Sequence, residues 1–221
     1  MVILLISDLH KTLESAEEVE SVRWLLHVLD GLEPEVLVSA GDWGEAMTVD
    51  DFFQIASRVR LVTVYGNHEN FSAVRSFVLR DGEVVEAGGF RIAGVNGLVC
   101  GGAEYCTPPG RFRRAVSKIG SVDIFASHQP PSAPYPQLEG DETAELMRWA
   151  LEKIRPRLHF SGHMAGGRYS LDAPDPLSAG LSTASASSTS PSPRFRLVIP
   201  GGPRTSAVRL GHGTGRRHST L

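Results

Sequence analysis

Seven side chains in this sequence carry atoms suited to a hard cation, and each follows a short apolar run: Asp8, His10, Asp42, Asn67, His68, His128 and His163. The first run, Val2-Ile3-Leu4-Leu5-Ile6, ends in Ser7-Asp8-Leu9-His10. It has the length of a buried strand and is far too short to span a membrane. Residues two apart on an extended strand point to the same face, so Asp8 and His10 are expected to aim at one spot. Carboxylate and amide oxygens mixed with imidazoles, without thiolates, suit Mn, Fe, Zn or Co better than a structural zinc site. The set is larger than one ion needs, and two ions sharing a bridging carboxylate would use it.

The elements that must position these groups alternate. Ala16 to Leu32 reads as a helix with Val19, Val22, Leu25, Leu26 and Leu29 on one face. Ser15 with Glu18 suits its start and Gly31 its end, and His27 is a helix residue rather than a ligand. A strand over 35–40 runs into Gly41-Asp42, a helix over 48–59 carries Asp50 and Asp51 in its first turn, and a strand over 61–65 runs into Gly66-Asn67-His68-Glu69. Phe71 to Leu79 is expected to be helical. Strand and helix alternating in this way predict a parallel sheet with its site beyond the carboxyl ends of the strands.

The middle of the chain changes character. Val84 to Ala87 and Phe90 to Val95 flank Gly88-Gly89 as a hairpin, which predicts a second, more antiparallel sheet. Leu98 to Gly110 is rich in Gly and Pro and reads as a loop able to line a cleft. A strand over 122–127 leads to His128, and Pro130, Pro131, Pro134 and Pro136 stiffen the loop after it. A helix over 142–154 and a strand over 158–161 lead to Gly162-His163. A Ser, Ala, Thr and Pro segment at about 172–193 has too little apolar mass for a packed core and reads as an insertion. Strands over 195–199 and 207–210 follow, so residues 1–210 form a single domain and 211–221 a flexible tail that carries His212 and His218.

A chain of 221 residues suffices for one domain with a sizeable core. Its formal net charge of −3 provides no general attraction to nucleic acid or an anionic membrane. Two cysteines, Cys100 and Cys106, are too few for a disulfide framework or a zinc cluster and are read as buried or loop thiols. The chain opens directly on its first strand, without a leader pattern, and this predicts a cytoplasmic protein.

The ordered blocks Asp8-Leu9-His10, Gly41-Asp42, Gly66-Asn67-His68-Glu69, Ser127-His128 and Gly162-His163-Met164-Ala165 resemble the signature of the calcineurin-like metallophosphoesterases. The resemblance covers residues 1 to about 165 plus a final pair of strands. It implies an α/β fold, a two-sheet sandwich flanked by helices in four αββα layers. It also implies a phosphoesterase that uses a metal-activated hydroxide at a dinuclear site of divalent ions (Mn, Fe, Zn, Co or Ni). Asp8 and His10 would hold the first ion, Asp42 would bridge, and Asn67, His128 and His163 would hold the second. His68 would face the phosphate and stabilise charge or protonate the leaving oxygen.

The sequence departs from the family's pattern at one ligand: the last block normally ends in a second histidine, and Ala165 stands there. His159, four residues before His163, would lie about 13 Å away along a strand and cannot replace it. The first site would then keep three protein ligands. The Asp-Arg-Gly that follows Gly-Asp in phosphoprotein phosphatases is replaced by Trp43-Gly44-Glu45-Ala46, which points to small phosphodiesters, phosphomonoesters or nucleotides. Two alternatives use the same scaffold: a binding protein with an eroded metal site, and a nuclease whose arginines at 194, 196, 204, 209, 216 and 217 form a basic edge.

Overall fold

The computed structural model describes residues 2–14, 16–132, 136–163, 194–197 and 208–209. Ser15, Pro134, Ala165, the Ser-rich segment and the tail histidines His212 and His218 lie outside the described residues.

The first half is built from strand–helix units: β1 (Val2–Ile6), α1 (Ala16–Leu32), β2 (Val36–Ser39), α2 (Val49–Ala56), β3 (Arg60–Thr63) and the single turn α3 (Phe71–Val74). A hairpin of β4 (Val84–Ala87) and β5 (Phe90–Val95) follows. Next come the short pair β6 (Leu98–Val99) and β7 (Cys106–Thr107), then α4 (Pro109–Lys118), β8 (Ile124–Ser127), α5 (Glu142–Ile154) and β9 (Leu158–Ser161). The last strands are β10 (Arg194–Leu197) and β11 (Val208–Arg209).

Two larger sheets result, in the orders β11-β10-β1-β2-β3 and β4-β5-β8-β9. In the first, β10, β1, β2 and β3 are parallel and only β11 runs against its neighbour. In the second, β5, β8 and β9 are parallel and only the hairpin strand β4 is antiparallel. Both sheets are therefore mixed, each with a single antiparallel pair: a crossover through α4 and another through α5 keep β8 and β9 parallel to β5, as βαβ units do.

Alternation along the strands sorts the core into three clusters. Ile3, Leu5, Val36 and Val38 of the first sheet pack with Ile92, Ile124, Ala126 and Phe160 of the second. The opposite face of the first sheet, with Leu4, Ile6 and Leu37, packs with Leu25 and Leu29 of α1 and Phe52 and Ile55 of α2. The opposite face of the second sheet, with Ala93, Val95 and Phe125, packs with Phe112 and Val116 of α4 and Met147, Ala150 and Leu151 of α5.

Several sequence expectations change. Val19 is 41% exposed rather than part of the apolar face of α1. That helix runs past Gly31 to Leu32, and Glu33 takes the left-handed turn that ends it, at φ 44°. The helix expected over 71–79 stops at Val74, because Val78 bridges to Thr63 and the Leu79 N–H bonds the Thr63 carbonyl, which draws the chain onto the edge of β3. The loop expected over 98–110 holds β6, β7 and the start of α4, whose Pro109 suits a first helical turn. Cys100 and Cys106 are not free thiols but form a disulfide.

Candidate metal centre

Each of the seven groups sits just past a strand, but not as a strand extension. β1 ends at Ile6, and Asp8 and His10 lie in the loop beyond it with φ of 57° and 49°. Asp42 and His163 share this left-handed conformation, at 56° and 67°. The expected alternation of side chains along an extended strand is thus not what brings Asp8 and His10 together. A left-handed backbone turns them, and loop–loop hydrogen bonds hold it there. The Asp8 N–H donates to the Gly41 carbonyl, His10 N–H to the Asp42 carbonyl and Lys11 N–H to the Trp43 carbonyl. The pairing of β1 with β2 thus continues into the two loops that carry Asp8, His10 and Asp42.

The loop after β3 is fastened to the loop after β2 by a buried carboxylate. Glu69 accepts the N–H groups of Asp42 at 2.9 Å and Gly66 at 2.8 Å through Oε1, and that of Trp43 at 3.2 Å through Oε2. Burial, reinforced by Asp42 nearby, pushes its pKa up to about 8 against the pull of those N–H groups. The approach is close enough to require glycine at Gly66: a Cβ there would fall 2.0 Å from Asp42 Oδ1. The sequence alone leaves Glu69 as one more polar residue in its block. Its role as a clamp between two loops depends on tertiary contact.

Asp42 is the centre of the arrangement and is 2% exposed. Its Oδ1 accepts the backbone N–H groups of Asn67 at 2.7 Å and His68 at 2.9 Å and lies 3.2 Å from His128 Nε2. Its Oδ2 lies 3.6 Å from His10 Nε2. Burial alone would raise the Asp42 pKa, but His128, the His68 N–H and His10 outweigh it and hold the carboxyl at about 2.

Two groups of three residues could hold metal ions, Asp8–His10–Asp42 and Asp42–His128–His163, each with its ligand atoms within 4.8 Å of one another. They share Asp42. Asn67 joins the second group, with its Oδ1 3.0 Å from His128 Nε2. His163 donates its backbone N–H to Asp8 Oδ1 at 3.1 Å, which ties the loop after β9 to the loop after β1, and its ring lies 5.1 Å from that of His128. Burial lowers the His163 pKa and keeps its imidazole a neutral donor.

The chemistry of the donor set fits a cation. The fully buried His128 has Nδ1 2.9 Å from the Ala40 carbonyl, which can only accept, so Nδ1 carries the hydrogen. In the neutral ring Nε2 is then a lone pair, and it faces Asn67 Oδ1 and Asp42 Oδ1. His128 Nε2, Asn67 Oδ1 and Asp42 Oδ1 thus converge on one spot, the place where either a proton on Nε2 or a positive ion would sit. The Nδ1–H to carbonyl bond is also the outer contact that orients a ligating imidazole.

His68 stands apart from both groups. Its ring is 5.3 Å from that of His10, half of the side chain is exposed, and Nδ1 is 2.8 Å from Glu45 Oε1. The Glu45 hydrogen bond raises the His68 pKa against a smaller effect of burial. Burial of Glu45 is in turn outweighed by His68, which lowers the carboxyl's pKa. In the sequence Glu45 stands only as part of the Trp43-Gly44-Glu45-Ala46 block in place of Asp-Arg-Gly, with no mark of a site role. Its contact with His68, 23 positions away, is a product of the folded loops.

His159, set aside as a ligand, is buried on β9 against Ser127 and belongs to neither group. Among the described residues no helix is long and apolar enough to cross a membrane. No curated protein matches the chain. The profile of the calcineurin-like phosphoesterase superfamily domain matches residues 1–133, which takes in the loops after β1, β2, β3 and β8. With that match over most of its length, the chain belongs to the calcineurin-like phosphoesterase superfamily.

Proposed function

We propose that the protein is a metal-dependent phosphoesterase that hydrolyses a small phosphodiester or phosphomonoester at a dinuclear site. The observation that carries this reading is the convergence of His128 Nε2, Asn67 Oδ1 and Asp42 Oδ1 on one side of a buried carboxylate whose other oxygen faces His10. Asp8, His10 and Asp42 would hold one ion, and Asp42, Asn67, His128 and His163 the other. Divalent ions bound there would supply Lewis-acid stabilisation of the phosphoryl oxygens and a lowered pKa for bound water.

The chain's own groups supply the rest. Asp42 stays ionised through the neutral range and presents one oxygen to each half of the site. Glu69 and the ladder between the loops hold the ligands in place before substrate arrives, so little reorganisation accompanies binding. His68 holds a proton at Nδ1 toward Glu45, with its ring beside that of His10. With its pKa raised, it is a suitable general acid to protonate the leaving oxygen. The described strands and core clusters are compatible with the four-layer αββα sandwich: helices cover the outer face of each sheet while the inner faces meet.

The test is hydrolysis of bis(p-nitrophenyl) phosphate by the full chain with Mn. Activity is expected to vanish on chelation and in Asp42→Ala. Absence of hydrolysis with each of Mn, Fe, Zn, Co and Ni refutes the reading.

A further inference from the structure

We propose that the Cys100–Cys106 disulfide is a thiol–disulfide exchange site whose reduction by a dithiol loosens two of the loops that form the candidate metal centre. The bond joins the only two cysteines of the chain. Both are half-buried, and Gly101, Gly102 and Glu104 between them are exposed, so an attacking thiolate can reach a sulfur.

The segment it closes leans on the metal centre from two sides. At its start, the Gly97 N–H donates to the Tyr65 carbonyl at 2.8 Å. A Cβ on Gly97 would fall 1.9 Å from the Tyr105 carbonyl oxygen and 3.0 Å from Tyr65 Cε2, so the segment is seated against the residue that precedes Gly66-Asn67-His68. At its tip, Glu104 pairs with Arg75, just past α3 on the same loop–helix unit as Asn67 and His68. On the other side, the Val99 N–H donates to Gln129 Oε1 at 3.3 Å, and Gln129 is the neighbour of His128.

Without the covalent bond the two ends stay seated, with Val99 and Thr107 buried and the Thr107 hydroxyl donating to the Asn96 carbonyl at 2.9 Å, but the stretch between them is held only lightly. β6 and β7 are two residues each, joined to each other and to no larger sheet. A pair of that size has no independent stability. With the disulfide open, the tip over 100–106, which contains no buried residue, is free to open locally at low cost, and it pulls on the two ends that seat it. The loosening then reaches Tyr65 and Gln129 through the bonds just described.

The exchange balances. One thiolate of the dithiol attacks Cys100 or Cys106 sulfur and releases the other as thiolate. The second thiol of the dithiol then resolves the mixed disulfide. Two electrons and two protons pass to the cysteines, and the dithiol leaves as its own disulfide.

The link to the metal centre rests on the reading of Asn67 and His128 as ligands, and the test separates the two. The full chain is compared before and after treatment with a trialkylphosphine, which takes up oxygen from water as it reduces the bond and, unlike a dithiol, does not compete for Mn. Thiol titration should give none before and two per chain after. Hydrogen exchange, measured without metal, should accelerate over 65–75 and 127–132 as well as over 97–107. The double variant Cys100→Ser/Cys106→Ser should show the accelerated pattern untreated and ignore the phosphine. Mn affinity should weaken about fivefold or more on reduction, the lower end of ordinary coupling between sites. Acceleration confined to 97–107, no acceleration at all, or two titratable thiols in the air-exposed protein overturns the proposal. If Mn binds in neither state, the phosphoesterase reading fails and the exchange pattern still decides this one.

Discussion

Acid is expected to unfold this protein through His159. The residue lies on β9, 2% exposed, with its ring stacked at 5.7 Å on Phe125. The Ser127 hydroxyl donates to the Gln129 carbonyl and accepts from His159 Nε2, while Nδ1 has no hydrogen-bond partner among the described residues. Burial pushes the imidazole pKa from the usual 6.5 down to about 3. A base with a depressed folded-state pKa contributes stability that is complete above 6.5 and lost as pH falls toward 3, because only the unfolded chain binds the proton in that window. At 1.36 kcal/mol per unit, the loss reaches about 3 kcal/mol by pH 4.5, within a total stability of about 5–15 kcal/mol. Urea unfolding at pH 7 and 4.5, in chelator, measures it against His159→Phe. Phenylalanine keeps the stacking and has nothing to protonate, and the Ser127 hydroxyl keeps its bond to Gln129. The wild type should lose about 3 kcal/mol more than the variant between the two pH values. Equal losses would show that proton uptake at this ring does not drive acid unfolding.

Other perturbations act on the metal centre. Glu69→Gln retains an oxygen for two of the three N–H groups and should cost about 1–3 kcal/mol, while Glu69→Ala strands all three and should cost at least twice that; denaturant melts check the order, and equal costs contradict the clamp. Glu45→Gln removes the partner that raises the His68 pKa, so the alkaline limb of the pH–rate profile should move to lower pH. An unmoved limb means that His68 is not the acid. Mn at about 100 times its Kd should add about 2.7 kcal/mol, or roughly 5–10 °C in Tm for a domain of this size. His128→Ala should abolish most of that shift in a scanning calorimeter, and a shift left intact would place the ion elsewhere.

Local patterns marked the elements well where sequence and structure agree for the same reason. α5 and β9 follow from periodicity and an apolar run, and the β4–β5 hairpin from its paired glycines. The misreadings share one cause, namely that a distant partner decided the outcome. α3 ends where the edge of β3 captures Val78 and Leu79, across 15 positions. α4 was masked by Pro108, Pro109 and Gly110, although Phe112, Ala115 and Val116 carry helical spacing behind them. The disulfide needed the β6–β7 pairing to bring Cys100 and Cys106 together. Within the site, residue types were legible because hard-cation chemistry restricts them. Glu69 and Glu45 were not, since each acts through a contact more than twenty positions away or on backbone N–H groups that carry no sequence mark.

The backbone at the site shows what the ligand set requires of the fold. Six non-glycine residues take positive φ among the described residues. Two, Glu33 and Arg155, terminate helices, and the other four are Asp8, His10, Asp42 and His163. A side chain in the left-handed region costs roughly 1–2 kcal/mol, so the site stores several such costs together. Strain of that size persists only where the surroundings leave no easier conformation. Here the loop ladder from Asp8 to Lys11, the Glu69 clamp and the His163 N–H on Asp8 remove the alternatives. A fold concerned with stability alone would place asparagine or glycine at these turns. Aspartate and histidine tolerate that conformation better than most side chains, and there they turn inward on a shared carboxylate in the two groups that could hold an ion.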